Sequence, residues 1–70
     1  MLPLSFANAG EANVIKRIGG KPDVKQHLAD LGFVVGGTVT VITRLGENVI
    51  VNVKETRVAV DERMAQKIMI

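Results

Sequence analysis

The sequence predicts a small, mainly β barrel carrying short helices, and three observations lead to it. Twenty-one of the 70 positions are β-branched, with eleven Val, six Ile and four Thr, a composition suited to pleated, half-buried strands. Apolar and polar residues alternate in short runs between glycine-containing breaks, which is the period of a strand rather than of a helix. A chain this short buries only roughly 60% of the surface its unfolded form exposes, so closely spaced strands are expected to curl together and remove their open edges. One domain spanning residues 1–70 is expected.

Each element follows in order. Leu2, Leu4 and Phe6 alternate before the turn-prone Asn8-Ala9-Gly10, giving an ordered lead-in. Residues 11–18, with Val14, Ile15 and Ile18, read as one strand that stops at Gly19-Gly20. Val24, Leu28 and Leu31 then fall at i, i+4 and i+7, one stripe of a short helix. Asp23 is placed to cap its start with Gln26 at the capping-box position, and Gly32 to end it in the left-handed conformation with Phe33 closing over the end. After Gly36-Gly37, residues 38–44 form a strand with Val39 and Val41 on one face. A hairpin loop, Leu45-Gly46-Glu47-Asn48, leads to Val49, Val51 and Val53, alternating against Asn48, Asn52 and Lys54. Lys54-Glu55 lacks the Gly or Asn a primed turn prefers, so a bulge or bend is expected before Val58 and Val60. Asp61 can cap a second short helix carrying Met64, Ala65 and Ile68, and Met69-Ile70 closes as a strand. The predicted core joins Val39, Val41, Val51, Val53, Val58 and Leu28, with Asn52 and Lys54 facing water.

Composition excludes several function classes. With no Cys there is neither a disulfide staple nor a thiolate metal site, and His27 alone cannot build a multi-imidazole zinc centre. A net charge of +2 is too small for a multi-phosphate contact, and two Phe with no Trp or Tyr give no stacking platform, so nucleic acid is not expected as a partner. The first ten residues lack a basic region followed by a continuous apolar run, and no stretch is long enough to cross a membrane, which reads as a soluble cytoplasmic protein without membrane insertion. Ser5, the one serine, and His27 form no nucleophile constellation, and Gly19-Gly20-Lys21 lacks the spacing of a phosphate loop, so no enzyme and no cofactor are expected.

Three groups of residues remain as candidates. Asp23, His27 and Asp30 share one side of the first helix and have the chemistry to ligate a divalent ion, although a solvated polar face explains them more economically. Lys16, Arg17, Lys25, Arg44, Lys54 and Arg57 are spread out and interleaved with acids, which reads as solvated surface. Ile42 and Ile50 fall on the strand faces opposite the valine rows. Either a helix covers them, which a small core favours, or they form an exposed apolar patch of the kind that marks a partner site.

The run Leu28-Ala29-Asp30-Leu31-Gly32-Phe33-Val34-Val35-Gly36 resembles the FeoA family's helix end and its L-x-D-x-G-hydrophobic-x-P-G pattern. Thr38 to Thr43, the apolar strand before Gly19-Gly20, Arg57-Val58-Ala59-Val60 and Ala65 to Ile70 extend the resemblance over nearly the whole chain. The sequence departs where Val35 replaces a common Pro, where Asp61 replaces a common basic residue, and where His27 stands in place of a frequent Arg or Lys. The resemblance implies an SH3-like barrel and a cytoplasmic accessory role in bacterial ferrous iron uptake, through protein–protein interaction with the membrane GTPase transporter FeoB. Lys25, His27, Ile42 and Ile50 are the candidate contact residues. Two alternatives stay open: a stand-alone SH3-like domain similar to the C-terminal domain of iron-dependent repressors, for whose helix-turn-helix seventy residues leave no room, and a small divalent-metal carrier. A homo-oligomer is also left open.

Overall fold

The alternating valines pair as the sequence predicts, and the shorter elements arrange themselves around them. In the computed structural model, which describes residues 1–70, a 3-10 turn at Leu4–Phe6 leads to strands β1 (Ala12–Val14) and β2 (Arg17–Ile18) and helix α1 (Pro22–Leu31). Strands β3 (Thr38–Leu45), β4 (Asn48–Val53) and β5 (Thr56–Asp61) follow, then helix α2 (Glu62–Ala65) and strand β6 (Ile68–Met69). The fold is mainly β with two short helices. One sheet has the order β1-β3-β4-β5 and a second pairs β2 with β6, every pairing antiparallel.

Val39, Val41, Val49, Val51, Val53 and Val60 turn one face of the large sheet into core, which Leu4, Ile15, Leu28, Phe33 and Ile68 complete. Each such side chain contributes about 1.5–3 kcal/mol by leaving water. Val58 is half-buried and packs against this cluster from the outermost strand. Asn52 and Lys54 are exposed, so the predicted register holds. At the end of α1, Gly32 has φ 109°, its N–H donates to the Ala29 carbonyl, and the Phe33 N–H donates to the Leu28 carbonyl at 2.9 Å. This pair of bonds satisfies two free carbonyls of the last turn and swings buried Phe33 under the helix.

The structure corrects five expectations. Residues 11–18 form two strands that serve different sheets, because Ile15 between them is wholly buried and bonds elsewhere. Its N–H donates to the Gly37 carbonyl and its carbonyl accepts from Gly36, both at 2.8 Å. The strands do not close into a continuous ladder, since β5 has β4 as its single neighbour. Lys21 is the N-cap of α1, with Pro22 opening the helix by its fixed φ and its missing donor; Asp23 lies inside the first turn and accepts from the Val24 N–H at 2.9 Å. Gln26 reaches forward to Asp30 at 2.8 Å instead of back to the cap. Lys54-Glu55 is a tight two-residue turn between paired Val53 and Thr56, with φ of 49° and 62°, the positive values a type I′ turn requires. Here the valine ladder on both sides fixes the turn against the preference of the two residues in it.

Candidate functional site

A bulge in β3 creates the outer face of the sheet. Val41 pairs with Val51 and Thr43 with Ile50, so Ile42 is an extra residue without a partner on β4. From that point the alternation shifts by one: Thr43 and Leu45 turn outward with Ile50 and Asn48, and Arg44 turns to the side of buried Val49. The Arg44 guanidinium uses that position to donate from Nη2 to the main-chain carbonyls of Ser5 at 2.7 Å and Ala7 at 2.8 Å. It thereby clamps the 3-10 turn onto the sheet.

Ile42 remains 36% exposed and Ile50 is half-buried, and neither belongs to the core or packs against it. The cover that a small core favoured is absent, because both helices bury their side chains on the other side of the sheet: Leu28 of α1 and Ala65 of α2 are core residues. Across the strands Ile50 aligns with Thr43 and with exposed Ala59, so Ile42, Ile50 and Ala59 form a short apolar band with Leu45 beyond it. Lys25 and His27 lie on the exposed side of α1. The four contact candidates thus occupy two places, the solvent side of the helix and the outer face of β3 and β4.

Asp23, His27 and Asp30 are all exposed and do not converge on a common point; no cluster of three metal-ligating side chains exists in the molecule. Asp23 is engaged with the helix backbone and Asp30 with Gln26. The one surface concavity is lined by Glu47, Asp61, Glu62 and Arg63 with no apolar wall, so it offers nothing to grip the body of an organic substrate. No helix is long and apolar enough to cross a membrane.

Sequence reasoning missed two features. Arg44 read as one more solvated cation, because strict alternation puts it on the outer face. Gly36 and Gly37, which follow exposed Val34 and Val35, are tied by main-chain bonds to Ile15, the residue after exposed Val14. Only the crossing between the two sheets reveals that proximity.

A family model described as the FeoA domain matches residues 2–70. A relative from Methanocaldococcus jannaschii, named "Putative Fe(2+) transport protein A", is 33% identical over all of this chain and 85% of its own length. Among solved structures, a crystal structure of an iron uptake regulatory protein (FeoA) superposes with TM-score 0.88 at 26% identity, covering 97% of this chain and 90% of that one. Zinc-complexed FeoA from Stenotrophomonas maltophilia, described as an SH3 domain protein, gives TM-score 0.84 at 24% identity over 99% and 88% of the two chains. A manganese-dependent transcriptional repressor shares the fold at 20% identity and TM-score 0.85, over 94% of this chain and 38% of its own.

Proposed function

The chain belongs to the FeoA family of ferrous iron transport accessories, with an SH3-like fold, and from that premise we propose that it works on the cytoplasmic side by docking onto the cytosolic part of a FeoB-type membrane GTPase. It acts by contact and catalyses nothing itself. The observation that carries the reading is the uncovered apolar band on a rigid sheet: Ile42 is lifted out by the bulge and Ile50 is held at the centre of the outer face with no helix over it. Apolar side chains placed so do nothing for the core and gain by meeting a partner. Lys25 and His27 on α1 are the polar contacts of the same proposal, and residues 1–70 act as one domain. The Stenotrophomonas relative is described as possibly a ferrous iron transport activating factor, and this reading gives such a role a surface.

Pulldown of this protein by the cytosolic domain of a FeoB-type transporter tests it, with Ile50→Asp and Lys25→Glu compared with the unmodified chain. Ile50→Asp should melt within a few degrees of the parent, since no core contact is lost, while its binding weakens by ~2 kcal/mol or more, the scale of a hot spot. A folded Ile50→Asp that binds fully, together with a fully binding Lys25→Glu, refutes the proposed surface.

A further inference from the structure

The outermost strand of the large sheet leaves one edge without a partner. Val53 and Thr56 close a two-residue turn, so Val53–Thr56, Val51–Val58 and Val49–Val60 are the pairs that exchange ladder bonds between β4 and β5. The main-chain N–H groups of Arg57, Ala59 and Asp61, with the carbonyls of Arg57 and Ala59, therefore point away from β4. No other main-chain bond reaches them. Six residues make a long edge for so small a protein, and β5 has no Pro, no bulge against β4 and no charge on its core-facing side; its charges, Arg57 and Asp61, lie on the outer face.

The side chains along this edge are complementary to themselves. Arg57, Ala59 and Asp61 are exposed on the outer face; Val58, half-buried, and Val60 face the core. A second β5 running antiparallel about a two-fold axis through Ala59 sets Arg57 of each copy opposite Asp61 of the other. It also sets Val58 against Val60 on the inner face, covering the apolar surface that the edge leaves open. Moving the axis to Arg57 puts guanidinium against guanidinium, and moving it to Asp61 puts carboxylate against carboxylate. Among the registers centred on an outward-bonding residue, the charges select the one at Ala59, and registers centred on Val58 or Val60 forgo the reciprocal Arg57–Asp61 pairs. One oxygen of Asp61 caps α2 through the Met64 N–H at 2.8 Å, and its other oxygen is free to meet an arginine.

We propose that β5 is a self-association edge: two copies of this chain join through antiparallel β5 strands into one continuous sheet, held by main-chain bonds centred on Ala59 and by reciprocal Arg57–Asp61 ion pairs. The contact uses the strand edge and leaves the Ile42 side of the outer face open. A single added strand buries less than a standard interface, so the dimer is weak and reversible, with Kd on the order of 100 µM.

Sedimentation equilibrium of the unmodified protein from ~10 µM to ~1 mM should show a monomer–dimer equilibrium. Ala59→Pro removes a donor that no bond within the monomer uses, so it should abolish the dimer while the fold persists. Arg57→Glu and Asp61→Lys should each weaken self-association at least about tenfold, because each confronts like charges across the axis. An equimolar mixture of the two should restore it, since Glu then faces Lys and Asp faces Arg. A merely structural role for either residue predicts no such rescue. If Ala59→Pro does not fold, the mixture decides alone. A protein that stays monomeric at ~1 mM, a folded Ala59→Pro that still dimerises, or folded charge variants that fail to rescue each other overturns the proposal.

Discussion

Replacing Arg44 with Ala should remove a large part of the stability of the domain, because one side chain ties two main-chain carbonyls of the N-terminal segment to the sheet. Its bond to the Ala7 carbonyl is part-buried, and a hydrogen bond to a charged group in that setting is worth about 1.5–3 kcal/mol. The bond to the Ser5 carbonyl is exposed and adds only about 0.5 kcal/mol after solvent screening. The expected loss is therefore about 2–3 kcal/mol, against roughly 3–5 kcal/mol for a single core of this size. With no Trp or Tyr, unfolding is best followed by far-UV circular dichroism in urea. An m-value of about 1 kcal/mol/M for so small a chain converts the loss into a midpoint lower by ~2 M. Arg44→Lys should recover little, since an ammonium on a flexible stem lacks the fixed geometry that lets one guanidinium nitrogen reach both carbonyls. Amide exchange at Ala7, whose N–H donates to the Leu4 carbonyl, should accelerate before the rest of the sheet. If Arg44→Ala unfolds at the parental midpoint, the clamp does not hold the turn and the energetic reading of the bulge is wrong.

Two further substitutions test the backbone. Gly32→Val should cost on the order of 1 kcal/mol or more of stability and so lower the urea midpoint, because φ of 109° is strained for any residue with a Cβ; the nearest neighbour, the Lys54 side chain, would lie at an ordinary 3.6 Å, so the cost is conformational and a wild-type midpoint would contradict it. Replacing Lys54-Glu55 with Asn-Gly should add about 1 kcal/mol of stability and so raise the midpoint, since both positions hold positive φ against residues that resist it; an unchanged or lower midpoint would show that the turn carries no strain.

What the sequence discloses and what it hides divide along physical lines. The valine register from Val39 to Val60 is legible because one face is buried, so a slip of one residue would put every valine in water. Gly32 is legible because the helical stripe stops at Leu31 and an apolar residue follows at once. The bulge at Ile42 is not: no Gly or Pro marks it, and the extra residue is itself a good strand former. That single insertion moved Arg44 from the expected surface to the clamp. The Asp23 cap failed because Pro22 one position earlier is an equally strong start signal. Of the candidate site, parity assigns Ile42 and Ile50 to the outer face, but whether anything covers them depends on where two short helices land, and the sequence pattern of those helices does not encode it.

The pairing of the chain's two extremities has a consequence for the order of assembly. Leu2 and Ile70 exchange main-chain bonds at 2.9 and 2.7 Å, and β2 is held by β6. The segment around Leu2 therefore has no main-chain partner until Ile70 has emerged from the ribosome, whereas the hairpins β3–β4 and β4–β5 need only neighbours a few residues away. Closing so long a loop carries an entropic penalty that local pairing escapes. The meander can gather while the chain is still tethered, and Ile15 can join it through Gly36 and Gly37, but the segment from Leu2 to Leu4 must wait for the residues around Met69.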